Sequence, residues 1–238
     1  MNSSPHSNAL RAIKVACIGD SITSGHKLEN PGRDAFPAQL QTMLGDGFEV
    51  RNFGVPGLGV YLHLPWPHTA NGRRAWSLSP ECAEALAWEP DIVVSNLGAN
   101  DLGEYPRESL TGPDGLPVLE RGTFRRQYID VLKAFKADGR HPRILIWTRL
   151  CAMKGETGVR NAPAASAMAD DLRAVAAEVD AEGIDMYAAT AASARDDDWP
   201  DEVHPSASGH HAIAEAICNA LSSGTGAGAS GKGASESR

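Results

Sequence analysis

Five short apolar runs, each followed by a stretch of different periodicity, constrain this chain more than any other feature. The runs span 14–19, 49–54, 92–97, 144–148 and 184–187. Each is rich in Val, Ile or another residue that suits a strand buried on both faces. The segments between them carry helical spacing. In 35–44 the apolar positions are Phe36, Leu40, Met43 and Leu44. In 123–136 Phe124, Tyr128, Val131, Leu132 and Phe135 form one stripe, and in 164–182 Met168, Leu172, Val175 and Val179 do the same. A shorter segment, 80–87, ends near Glu89-Pro90, and 207–221 closes the pattern with Ile213, Ala216, Ile217 and Leu221 inward. This alternation predicts an α/β fold, a parallel sheet with right-handed crossovers and helices on both faces. In such sheets, active sites lie beyond the carboxyl ends of the strands. Ser21 follows the first run, Gly57 the second and Asn100 the third. All three are therefore expected at one rim.

The remaining composition bounds the chain without choosing its chemistry. Its 238 residues suffice for one α/β domain or two small ones, and can bury a full core. The formal net charge of -8 and the lack of a Lys/Arg-rich block argue against a nucleic-acid partner. Nothing in the sequence approaches the roughly 20 apolar residues that span a bilayer, so no membrane association is expected. Residues 1–11 are polar and lack a signal-peptide core, and Cys17, Cys82, Cys151 and Cys218 form no Cys-x-x-Cys pair. Both features predict reduced thiols and a cytoplasmic location. The expected organisation is a flexible N-terminus (1–12), one folded domain (13–221) and a disordered Gly/Ser/Ala tail (222–238). The tail contains Gly226 to Lys232, most of a phosphate-binding loop, but Gly233 stands where Ser or Thr is needed. No strand precedes it and no helix follows, so no nucleotide site is expected there.

Gly19-Asp20-Ser21 places a hydroxyl at the mouth of the sheet. A serine after a strand is also a common helix cap, and alone the segment leaves both uses open. Asp201-Glu202-Val203-His204 supplies an imidazole with a carboxylate three residues earlier. A histidine can take the proton that makes a serine hydroxyl a competent nucleophile, and a carboxylate can fix its tautomer. Asp198 is an alternative orienter in the same acidic segment. Gly57 can offer a backbone N–H to a developing oxyanion or simply serve a turn. The Asn100 amide can donate into the same pocket or close an Asx turn. Asp20 and Asp101 are expected to hold loops, His210 and His211 to lie on the surface, and Cys151 to be a bystander.

Together the four segments resemble the four sequence blocks of the SGNH hydrolases, also called GDSL esterases. They are Gly19-Asp20-Ser21, the glycine loop ending in Gly57, Gly98-x-Asn100-Asp101 and Asp201-x-x-His204. They occur in the family's order, and the resemblance covers roughly 14–221. It implies a three-layer α/β/α sandwich with a five-stranded parallel sheet. It implies Ser21 as nucleophile, His204 as general base and then acid, and Asp201 as orienter. The oxyanion hole would comprise the Ser21 N–H, the Gly57 N–H and the Asn100 side chain. The implied chemistry is acyl transfer to water through an acyl-enzyme, with no metal and no organic cofactor.

Phe36 to Leu40, Asn52 to Gly54 and Trp199 to Pro205 further resemble the branch containing acetylxylan esterases and sialate O-acetylesterase-like proteins. That implies a small-molecule ester or acetylated sugar as substrate. The aromatic loop 61–79 gives Tyr61, Trp66, Arg73 and Trp76 as candidate sugar contacts, since a sugar needs stacking and hydrogen bonds. The same aromatics could merely cover the sheet edge. The mixed loop 103–122 lacks the apolar character of a lipase lid. A lysophospholipase or thioesterase is the alternative enzyme, and a silent carbohydrate-binding protein the alternative of another class. The oligomeric state is open.

Overall fold

A computed structural model of the chain describes residues 11–62, 75–103, 105, 120, 122–151, 153–191 and 199–223. Five strands form one sheet: β1 (Ile13–Gly19), β2 (Phe48–Gly54), β3 (Ile92–Ser95), β4 (Arg143–Arg149) and β5 (Glu182–Asp185). All four pairings are parallel, in the order β2-β1-β3-β4-β5. The chain moves outward from β1 to β2 and then crosses back to β3. The crevice between the carboxyl ends of β1 and β3 is thus the topological switch point, where open α/β sheets bind ligands.

Alternate strand residues bury on opposite faces, as the two-residue period requires. Ala16 and Ile18 of β1 join Val93, Ile144 and Ile146 in one core. Helices α4 (Pro80–Trp88), α5 (Thr123–Ala134) and α6 (Gly155–Glu178) cover that face, with Cys82, Phe124, Tyr128, Leu132, Met168 and Leu172 inward. Val15 and Cys17 join Val94, Leu145 and Trp147 in the second core. There α3 (Phe36–Leu44), which follows the single turn α2 (Pro31–Asp34), and α8 (Ala207–Ser223) supply Phe36, Leu40, Ile213 and Ile217. The result is the three-layer α/β/α sandwich with a five-stranded parallel sheet.

Several boundaries differ from the sequence expectation. Helix α6 begins at Gly155 rather than near 164, and runs through Pro163. Gly155, Gly158, Asn161 and Pro163 are weak helix formers, and tertiary contacts override their propensity. The last strand ends at Asp185, because Met186 and Tyr187 already belong to α7 (Met186–Ala191). The final helix continues to Ser223, past the expected start of the tail. Residues 1–10 and 224–238, including the Gly226–Lys232 segment, lie outside the described residues. No described helix is long and apolar enough to cross a membrane.

His210 corrects a further expectation. It is wholly buried, not at the surface, whereas His211 is exposed. The Phe36 N–H donates to His210 Nδ1 at 3.1 Å, and the two rings stack with centroids 6.3 Å apart. Adjacent residues on a helix point about 100° apart, so His210 turns into the core beneath Phe36, while His211 stays at the solvent edge of α3 with Nδ1 2.8 Å from Gln39 Oε1.

Candidate active site

Ser21 opens a single helical turn, α1 (Ser21–Ser24), directly after β1. Asp20, not Ser21, is the cap of that turn: its Oδ1 accepts from the Ile22 N–H at 2.9 Å. The Ser21 hydroxyl is therefore not spent on capping. It lies 2.9 Å from His204 Nε2. On the other side of the ring, His204 Nδ1 lies 2.7 Å from Asp201 Oδ2. The second oxygen, Asp201 Oδ1, accepts from the backbone N–H groups of Val203 (3.2 Å) and His204 (2.7 Å). Burial alone would raise the Asp201 carboxyl. The His204 backbone and ring bonds outweigh it and hold the group below its ordinary range. Asp201 thus carries a negative charge where an imidazolium would need one. Hydroxyl, imidazole and carboxylate form one hydrogen-bonded line, with the imidazole able to accept from Ser21 while donating to Asp201.

The segment after β2 is held close to this line. Val55 N–H donates to the Gly19 carbonyl at 2.9 Å, and Leu58 N–H to the Val55 carbonyl at 3.3 Å. Gly57 sits inside that turn with φ +80°. A Cβ there would meet open space, so the constraint on this position is the left-handed backbone rather than crowding. Asn100 Nδ2 donates to the Leu58 carbonyl at 3.0 Å, tying the rim after β3 to the Gly57 turn. That bond uses one of the two amide hydrogens.

Asp20 and Asp101 both serve loops. Asp101 is buried and its carboxylate accepts from the backbone N–H groups of Val60 and Tyr61. Asp20 is also buried and receives Asn96 Nδ2 at 3.3 Å, while its Oδ2 has no hydrogen-bond partner. Burial therefore pushes its carboxyl up to about 6. Burial, with a smaller contribution from His204, lowers the His210 imidazole to about 4.

These two shifts have opposite consequences for stability. The folded state disfavours protonated His210, so this histidine's contribution is lost as pH falls from about 6.5 toward about 4. The folded state favours neutral Asp20, so that group adds stability as pH falls from about 6 toward about 3.8. His210→Gln should therefore lose less stability than the wild type between pH 6.5 and 4, and Asp20→Asn should lose more. Urea unfolding midpoints at both pH values check the two signs.

The other expectations divide. Trp76 is completely buried, its Nε1 donates to the Phe53 carbonyl at 2.8 Å, and its ring stacks on Phe135. Tyr61 is 3% exposed and meets Phe124 edge-to-face. Both rings are core, so neither offers a face to a sugar. They cover the sheet, the other use open to this loop. Trp66 and Arg73 lie outside the described residues, as does Asp198. Cys151 is buried and its thiol is pushed up to about 12 by burial, which makes it a poor nucleophile. Among the described residues, no group of three or more His, Cys, Asp or Glu is placed to hold a metal.

Two residues escaped the sequence reading. The His26 ring stands edge-on to His204, centroids 5.1 Å apart. Asn96 accepts from the Thr23 hydroxyl at 2.6 Å while donating to Asp20. His26 belongs to no periodic pattern or recognisable block, whereas Asn96 lies inside the apolar run 92–97, where a polar residue in a buried strand pattern is the one local signal.

Strand order, layers and rim define an SGNH-hydrolase fold. The GDSL-like lipase/acylhydrolase family model matches residues 17–212. The chain belongs to that family, whose enzymes are carboxylic-ester hydrolases. It is similar to an acetylxylan esterase of Xylanibacter ruminicola, with 30% identity over 227 residues. The match covers 88% of this chain but 43% of that enzyme, so the chain spans less than half of its relative. An acetyl xylan esterase crystal structure superposes with a TM-score of 0.62 at 19% identity, covering 88% of this chain and all of the other. A lipolytic G-D-S-L family protein from Veillonella parvula gives 0.59 at 16%, covering 89% and 99%. At those identities the structural matches speak to the fold.

Proposed function

We propose that this chain is a serine esterase that removes short acyl groups, foremost O-acetyl groups from carbohydrate. The hydrogen-bonded line Ser21–His204–Asp201, at 2.9 and 2.7 Å, carries the reading. His204 Nε2 takes the Ser21 proton as Oγ attacks the ester carbonyl. The resulting oxyanion is received by the Ser21 N–H, the Gly57 N–H and the Asn100 amide. Such donors act where charge develops, and each is worth about 10²–10³ in turnover. The imidazolium then gives its proton to the departing sugar oxygen, leaving acetyl on Ser21. Water repeats the sequence, with His204 again base and then acid, and releases acetate.

The name of the Xylanibacter relative supports the acetyl and carbohydrate parts of this reading. The test is acetate release from a panel of acetylated xylan fragments and acetylated monosaccharides. It is run beside 4-nitrophenyl acetate, octanoate and palmitate. Acetate release with the acetyl ester fastest is the expected result. Preference for octanoate or palmitate would overturn it in favour of a lysophospholipase or thioesterase. Sugar binding without acetate release or acylation of Ser21 would overturn catalysis itself.

A further inference from the structure

Glu202 stands between Asp201 and His204 with φ +65°. Left-handed backbone at a residue other than glycine persists only where its surroundings hold it. Here the surroundings are the first turn of α6. The Glu202 carbonyl accepts from the Lys154 N–H at 2.8 Å. Glu202 Oε2 accepts from the Thr157 N–H at 3.1 Å, and the Thr157 side chain bonds to the same carboxylate. Those Thr157 bonds hold the Glu202 carboxyl below its ordinary range. Gly155 has no side chain where the carboxylate enters, and a Cβ there would overlap it.

The bonds from Val203 N–H and His204 N–H to Asp201 Oδ1 shape the turn locally. They do not attach it to another element. The Glu202 bonds do, across 45 residues of sequence. The same carboxylate satisfies an N–H that the first helical turn would otherwise leave open.

We propose that Glu202 is a positioning residue. Its carboxylate, fastened to Thr157, holds the Asp201–His204 turn in the conformation that points His204 at Ser21. The proposal rests on the Ser21–His204–Asp201 reading above. It also explains why a helix of weak formers starts as early as Gly155. The triad turn is its cap.

Three variants of the full chain test this. Glu202→Gly keeps the left-handed backbone at ease and removes the carboxylate. Glu202→Gln keeps an oxygen that can accept from Thr157 N–H. Thr157→Val is isosteric, retains that N–H and sits far from the triad in sequence. With 4-nitrophenyl acetate, Glu202→Gly should lower kcat about 10-fold with KM within about 2-fold, the pattern of a misplaced group rather than lost substrate binding. Glu202→Gln should recover most of the loss. Thr157→Val should cost about 3-fold alone and nothing further in the Glu202→Gly background, because both remove one link. The downfield proton signal of His204 Nδ1–H, visible without substrate, should broaden in Glu202→Gly and persist in Glu202→Gln.

Wild-type kcat and an unchanged proton signal in Glu202→Gly would overturn the proposal, as would fully multiplicative effects of the Thr157 and Glu202 substitutions. Should Glu202→Gly fail to fold, Thr157→Val with wild-type kcat and proton signal overturns it equally. Ser21→Ala run alongside separates the two readings. An active Ser21→Ala sinks the triad. An inactive one beside a fully active Glu202→Gly sinks only the role of Glu202.

Discussion

Ser21→Ala should reduce ester turnover by about 10⁶-fold, the scale of losing the nucleophile from a serine–histidine pair. The hydroxyl bonded to His204 Nε2 is the one atom group that the substitution removes. The fold should survive it. Asp20 caps the short helix, so the Ile22 N–H keeps its acceptor. The Ser21 backbone carbonyl also keeps its bond from the His26 N–H, at 2.9 Å. The variant should therefore match the wild type in near-ultraviolet circular dichroism and urea midpoint while failing in acetate release. A phosphonate ester should add its mass to Ser21 in the wild type and to nothing in the variant. Substantial turnover by a folded Ser21→Ala protein would mean that the reaction does not pass through an acyl-serine.

Asp201→Asn should lower kcat by about 10⁴-fold, through the proton inventory of the imidazole rather than its position. Asp201 Oδ1 holds two backbone N–H groups, so the oxygen of the new amide must stay there to preserve the turn. That forces the amide NH₂ to the place of Oδ2, facing His204 Nδ1 at the present 2.7 Å. A donor facing Nδ1 makes that nitrogen an acceptor and moves the imidazole proton to Nε2. An Nε2–H cannot accept from Ser21. The expected signature is a deep loss of kcat with little change in KM, across the whole pH range of activity. A loss smaller than about tenfold would show that His204 keeps its working tautomer without this carboxylate.

Much of the architecture was legible because it is written locally. The runs around Val15, Val50, Val93 and Ile144 are each bounded by polar or helical segments, and all became strands of the parallel sheet. Phe124, Tyr128 and Leu132 followed their stripe into the core. The misreadings share a cause. The stripe at 164–182 misses the first turns of its helix because Gly155, Gly158 and Pro163 carry no helical pattern and that end is bonded to Glu202, a residue of another segment. Trp76 and Tyr61 look like a sugar platform because composition cannot distinguish an aromatic facing solvent from one facing Phe135 or Phe124. His210 and His211 are neighbours in sequence with opposite fates: one packs beneath Phe36 and the other reaches only Gln39 at the solvent edge of α3. The candidate site was readable as four separate blocks. Their hydrogen bonds, and the contact of His26 with His204, depend on strand order, which no short window of sequence contains.

Ser21 and His204 are 183 residues apart, with four of the five strands between them. α8, which follows directly on His204, packs against α3, near the start of the chain. Contacts of such long sequence separation form late and slowly in folding. A partly assembled chain can own a complete β1 with its serine displayed and still lack a base. Turnover is therefore a stricter report of the native state than secondary-structure content. During refolding, hydrolysis should appear after the helical signal, in step with the burial of α8 on α3, so the enzyme's own reaction can time the closing of its fold.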